Sequence, residues 1–136
     1  MELRRLNGAF GAEVRGVDIA SGLEDQTFAD LSAALYEHRV VCIRDQQLSK
    51  AQYLAFGRRW GTPIAHVLDH MRMPGFPELL AVGNTEVKDQ DVTIRNGAAL
   101  WHTDQSYEKV PASATMLLSI RAPREGGETQ FCDMAA

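Results

Sequence analysis

The chain has 136 residues, 45% of them hydrophobic and 24% charged, and a net charge of −4. That length suits one domain, and a domain of this size normally buries roughly 70% of the surface its unfolded chain exposes. No apolar run approaches the roughly 20 residues of a membrane helix. The opening MELRRLNGAFGAEVRG lacks the apolar core of a secretory signal. Arg4-Arg5 and Arg58-Arg59 are the only adjacent basic residues, so there is no basic stripe for nucleic acid. Cys42 and Cys132 lie far apart and fit no zinc spacing. Two reduced thiols in a cytoplasmic protein are the expectation.

Taken in chain order, Gly16-Val17-Asp18-Ile19 reads as a short strand. Phe28, Leu31, Leu35 and His38, three and four apart, then predict a helix. The continuous and mostly β-branched run Val40-Val41-Cys42-Ile43 predicts a buried strand. Ser49 with Gln52 three residues later is a capping box, opening a helix that carries Tyr53, Leu54 and Phe56. Gly57, Gly61 and Pro63 are its stop signals. A short strand around 79–82 leads into a polar stretch, 84–96, too charged for a core.

The period then changes to two. In 113–121, Ala114, Met116, Leu118 and Ile120 share one face, and Ser113, Thr115, Leu117, Ser119 and Arg121 the other. That alternation predicts a half-buried strand. Pro123 and Gly126-Gly127 mark a turn, and 129–133 reads as the strand that follows it. The chain is therefore mixed early and β-rich late, an α+β pattern. Met134-Ala135-Ala136 arrives without turn or cap and reads as an interrupted element.

The most informative segment is Leu100-Trp101-His102-Thr103-Asp104. On an extended chain, residues two apart point to the same side, so His102 and Asp104 would present an imidazole and a carboxylate together. Those are two of the three groups in a 2-His-1-carboxylate facial triad, which binds iron(II) and leaves positions open for oxygen chemistry. Alone the pair is weak. Asp and Glu fill roughly one position in eight at average usage, so among four histidines a chance His-x-Asp/Glu is close to an even bet.

Its surroundings carry more. Trp101-His102-Thr103-Asp104-Gln105-Ser106-Tyr107, then Pro111-Ala112, Pro123 and Gly126-Gly127-Glu128-Thr129-Gln130-Phe131 form one ordered series. Upstream stand Gly11-Ala12-Glu13-Val14-Arg15-Gly16-Val17-Asp18, the run from Val40 through Arg44-Asp45-Gln46, and Phe56-Gly57 through Trp60-Gly61. The whole series resembles the taurine dioxygenase family (TauD/TfdA group) of iron(II)/2-oxoglutarate-dependent dioxygenases. There WH(T/S)D is followed by a Pro-rich link, a β-hairpin and GG(D/E)T.

The resemblance implies that His102 and Asp104 are iron ligands and that Thr129 binds the distal carboxylate of 2-oxoglutarate. Without it, Thr129 would read as an ordinary strand residue. His66, five residues after Gly61, falls where family members often place a substrate-contacting histidine. His70 reads as a surface loop residue, His38 as a packed or partly exposed helix residue, and Asn96 as solvated loop or pocket lining. Trp101 is expected to pack in the core behind the metal strand.

The implied fold is α+β, an N-terminal mixed α/β segment leading into a double-stranded β-helix (jelly roll) that is incomplete in this chain. Residues 1–136 would be the N-terminal portion of a single dioxygenase domain. The family's second histidine ligand and its 2-oxoglutarate arginine lie far downstream. No histidine follows His102, and Arg121 and Arg124 precede the GGET match. The implied partners are a small, anionic substrate of sulfonate, sulfate ester or aryloxy-acid type, 2-oxoglutarate and O2, with neither nucleic acid nor membrane. A homo-oligomeric intact protein stays open. Two rival readings remain: an inactive fragment of such an enzyme, and a β-rich binding module with a chance His-x-Asp, which leaves the ordered match unexplained.

Overall fold

In the computed structural model, which describes residues 1–65, 67, 69–82 and 100–134, strand β1 (Glu2–Arg5) turns back antiparallel onto β2 (Ala12–Arg15). Glu2 lies opposite Arg15, and Arg5 opposite Ala12. Leu6 N–H donates to the Gly11 carbonyl at 3.0 Å to close the link, where Gly11 takes a φ of +96° that glycine tolerates. On its other edge β2 pairs parallel with β3 (Val41–Ile43), Ala12 opposite Val41. A parallel pair requires a crossover, and helix α1 (Asp25–His38) supplies it.

Leu31, Ala34 and His38 form the buried face of α1, with Phe28 and Leu35 half-buried beside them, so the predicted helix and its inner face are both present. His38 is packed. Asp25 in the first turn suits the positive end of the helix dipole. At the other end Arg39 adopts φ +66°, and its N–H reaches the Leu35 carbonyl at 2.7 Å. That sharp exit delivers the chain to β3. The His38 carbonyl then accepts from Gly11 N–H at 2.8 Å, and the Val40 carbonyl from Ala12 N–H at 2.9 Å.

Ala12, Val14, Val17, Ile19, Leu31, Ala34, Leu54 and Phe56 make the core. Phe28 meets Phe56 edge-to-face, with centroids 6.3 Å apart, a geometry favoured by the ring quadrupoles. The strand expected over Gly16–Ile19 is displaced to Ala12–Arg15, and Gly16 at φ +70° ends it. Val17 and Ile19 are buried as their apolar character requires, but their backbone bonds to a side chain instead of a ladder. Gln46 Nε2 donates to the Val17 carbonyl at 2.7 Å, and Ile19 N–H donates to Gln46 Oε1 at 3.0 Å. β3 is half-buried, not fully buried as expected, because the sheet order β1-β2-β3 leaves it at an edge.

Helix α2 (Lys50–Arg58) opens on the predicted capping box. Gln52 N–H reaches Ser49 Oγ at 3.3 Å, and Ser49 N–H donates to Gln52 Oε1 at 2.9 Å. Two orphan donors are thereby satisfied reciprocally. Leu54 and Phe56 are buried; Gly57 stays helical, and the helix stops at Arg58, short of Gly61 and Pro63.

The described residues divide into two units, Met1–Phe56 with Leu118–Ala136, and Gly57–Leu117. In the second, a 3₁₀ turn (Asp69–Met71) precedes β4 (Arg72–Met73) and β5 (Phe76–Leu80), an antiparallel hairpin with a register shift. The strand expected over 79–82 begins earlier and ends at Leu80, because the Pro74-Gly75 turn sets the pairing from Met73 opposite Phe76. Val82 is exposed. The polar stretch 84–96, Asn96 included, lies outside the described residues.

The predicted strands over 113–121 and 129–133 are not formed among the described residues. The period-two burial is nonetheless present. Ala112, Ala114, Met116 and Leu118 are half-buried, while Ser113, Thr115, Leu117 and Ser119 are exposed. Ile120 departs from the pattern, being 78% exposed. Alternation follows from an extended backbone alone; a strand also needs a hydrogen-bonded neighbour, and no described segment pairs with these runs. Where a turn was predicted the chain bends at Arg124-Glu125, followed by Gly126 at φ +73° and Gly127 at φ +75°. Both cysteines are free thiols. No described helix is long and apolar enough to cross a membrane.

Candidate metal centre

Two side chains of the second unit meet as their spacing requires. His102 Nε2 lies 3.2 Å from Asp104 Oδ1. The expected strand beneath them is absent among the described residues; an irregular stretch runs through His102 and Thr103 into a turn starting at Asp104.

The other ring nitrogen of His102 is committed. Nδ1 lies 2.8 Å from the Leu100 carbonyl, and a carbonyl only accepts, so Nδ1 carries the proton. This is the arrangement by which a metal-bound imidazole is oriented, and it turns Nε2 toward Asp104. The same carbonyl raises the His102 pKa above its usual range, with the Asp104 carboxylate adding to the effect. As an imidazolium His102 donates through Nε2–H to Asp104; once neutral, Nε2 offers a lone pair. Asp104 Oδ2 accepts from Thr115 Oγ1 at 2.9 Å.

Both side chains of the pair are half-exposed, so the centre opens to solvent. Adjacent positions on a six-coordinate first-row metal, with bonds of about 2.1 Å, lie about 3.0 Å apart. The spacing of Nε2 and Oδ1 fits two such positions. Among the described residues no third His, Cys, Asp or Glu joins them.

The turn beyond the pair is tight. Gln105 adopts φ +53°, and its carbonyl accepts from Glu108 N–H at 3.0 Å. Trp101, expected in the core, is 66% exposed, since no described strand covers its segment. Thr129 is exposed and belongs to the first unit. His66 lies outside the described residues. His70 is exposed in the 3₁₀ turn, as a surface residue should be. Sequence reasoning passed over Thr115 and the Leu100 carbonyl. The alternation of 113–121 put Thr115 on the polar face but carried no sign of its partner.

A histidine and a carboxylate two residues apart, with the imidazole held through its far nitrogen, are donor types of a candidate metal centre. Residues 2–136 match the family model described as "Taurine catabolism dioxygenase TauD, TfdA family", and the chain belongs to that family. It is 33% identical to an (S)-phenoxypropionate/alpha-ketoglutarate-dioxygenase of Sphingobium herbicidovorans, over 99% of this chain and 46% of the relative. It is 30% identical to an alpha-ketoglutarate-dependent sulfate ester dioxygenase of Pseudomonas putida, over 100% of this chain and 42% of the relative. The chain thus spans about half the length of the curated relatives it matches. A solved structure of AAD-2 in complex with Mn(II) and N-oxalylglycine shares the fold, with a TM-score of 0.61 at 22% identity over 82% of this chain and 38% of that one.

Proposed function

We propose that these residues are the N-terminal portion of an iron(II)- and 2-oxoglutarate-dependent dioxygenase. It hydroxylates a small anionic substrate of sulfonate, sulfate ester or aryloxy-acid type. Substrate C–H, O2 and 2-oxoglutarate go to hydroxylated product, succinate and CO2. The observation that carries this reading is the 3.2 Å approach of His102 Nε2 to Asp104 Oδ1, with Nδ1 tied to the Leu100 carbonyl. The relatives named for phenoxypropionate and sulfate ester dioxygenases support the substrate class.

His102 and Asp104 would hold the iron, and a third ligand and the 2-oxoglutarate arginine would come from beyond Thr129 in a completed jelly roll. When bound, iron supplies the oxygen-activating chemistry; the chain's part is to position groups around it. The Leu100 carbonyl keeps the proton on Nδ1, so Nε2 is the nitrogen available for ligation. Thr129 would donate its hydroxyl to the distal carboxylate of 2-oxoglutarate, and His66 would contact the substrate. A cytoplasmic location accompanies this reading, in keeping with two free thiols.

The test is Mn(II) binding to the 136-residue chain, followed by electron paramagnetic resonance. Binding should be measurable in the wild type and abolished in His102→Ala and Asp104→Ala. A His102→Ala chain that binds Mn(II) like the wild type would remove the proposed centre.

A further inference from the structure

We infer that Thr115 is the positioning residue of Asp104, an assignment that rests on the iron-binding reading of the His102–Asp104 pair. The two oxygens of Asp104 have different neighbours: Oδ1 faces His102 Nε2 at 3.2 Å, and Oδ2 faces Thr115 Oγ1 at 2.9 Å. An ionised carboxylate only accepts hydrogen bonds, so the Thr115 hydroxyl is the donor. The terminal torsion of an aspartate is broad and nearly two-fold, and an unheld carboxylate exchanges its oxygens freely. Thr115 removes that freedom. It engages Oδ2 and leaves Oδ1 as the oxygen presented beside Nε2.

The local chain is built to deliver this hydroxyl. The turn after Asp104 reverses through Gln105 at φ +53° and the Glu108–Gln105 backbone bond. Pro111, with its locked φ, starts the return run, in which Thr115 falls on the exposed face while Ala114 and Met116 turn inward. A β-branched threonine has few χ1 choices, so its hydroxyl is a stiffer holder than a serine or a water. His102 and Asp104 are thus each held through their far atom, one by the Leu100 carbonyl and the other by Thr115. Such outer partners typically change metal affinity 10- to 100-fold when removed. Asp104 is half-exposed, so water can replace the hydroxyl in part, and the effect belongs at the low end of that range.

The experiment compares Mn(II) affinity in the wild-type chain and in Thr115→Val, Thr115→Ser and Asp104→Ala. A second readout is the infrared carboxylate stretches of isotope-labelled aspartate in the Mn(II)-loaded chain. Thr115→Val should weaken Mn(II) binding on the order of tenfold, and Thr115→Ser should restore it. The asymmetric and symmetric stretches should draw closer together in Thr115→Val, as a released Oδ2 turns toward the metal. A merely structural threonine would not move that separation. Wild-type affinity in Thr115→Val alongside loss in Asp104→Ala overturns the role of Thr115 and leaves the metal centre standing. Equal weakening in Thr115→Val and Thr115→Ser also overturns it, because the hydroxyl would then be irrelevant. Wild-type affinity in Asp104→Ala overturns the centre itself, and the role with it. Should Thr115→Val fail to fold by circular dichroism, Thr115→Ala is read by the same outcomes.

Discussion

Arg44 Nε donates to Glu13 Oε2 at 2.8 Å, tying the residue that follows β3 to the centre of β2. Arg15 Nε takes the other oxygen at 2.8 Å, and Arg4 Nη2 on β1 stands 3.5 Å from it. Glu13 is 4% exposed, while the arginines that meet its carboxylate are half-exposed or more. One side chain therefore clamps all three strands of the N-terminal sheet. The hydrogen bonds from Arg15 and then Arg44 hold the Glu13 pKa down to about 2 from an ordinary 4.5.

That depression sets a pH dependence. A lowered carboxylate pKa contributes stability that is complete above the unfolded value of 4.5 and is lost as pH falls toward about 2. Glu13→Gln should lower Tm at neutral pH and flatten the loss of stability across that window. Thermal melts of both proteins, run above and within the window, check this. Parallel acid limbs would take Glu13 out of the role of clamp.

The capping box of α2 is a local device with a local cost. Ser49→Ala removes the acceptor that Gln52 N–H uses and is expected to cost about 1 kcal/mol of stability. Urea denaturation measures it. Ser49→Asp, which keeps an acceptor at the N-terminus, should retain most of that stability.

Thr129 tests the co-substrate half of the proposed function. In the full-length protein, Thr129→Ala should cost about 1–3 kcal/mol of 2-oxoglutarate binding, the scale of a hydrogen bond to a charged acceptor. Mn(II) affinity should stay nearly unchanged. A 2-oxoglutarate dependence identical to the wild type would exclude Thr129 from the site.

The 136-residue chain alone is expected to give no succinate when supplied anaerobically with iron(II), then with 2-oxoglutarate, ascorbate, O2 and candidate sulfonates. On the proposed reading His102 and Asp104 are two donors, and among the described residues no third joins them. Even slow uncoupled turnover would register in a succinate assay. Succinate that disappears in His102→Ala would mean a third ligand within these residues, with His66 the first to replace.

What the sequence determined by itself was local. The i, i+3, i+4 spacing of Phe28, Leu31, Leu35 and His38 contained α1 and its inner face, and Ser49 with Gln52 contained the start of α2. The His-x-Asp spacing contained the approach of His102 to Asp104, because side chains two residues apart can meet without any partner from elsewhere in the chain. Tertiary structure decided whatever depends on a neighbour far along the chain. Val17 and Ile19 alternate like a strand, yet the amide of Gln46 takes the bonds a strand would have made. Glu13 carried no mark of Arg44, nor Asp104 of Thr115, since each pair meets only after the chain has turned back on itself. The run 113–121 shows the same division from the other side. Its alternation was legible because side-chain direction is a property of one backbone. Its pairing was not, because a ladder is a property of two.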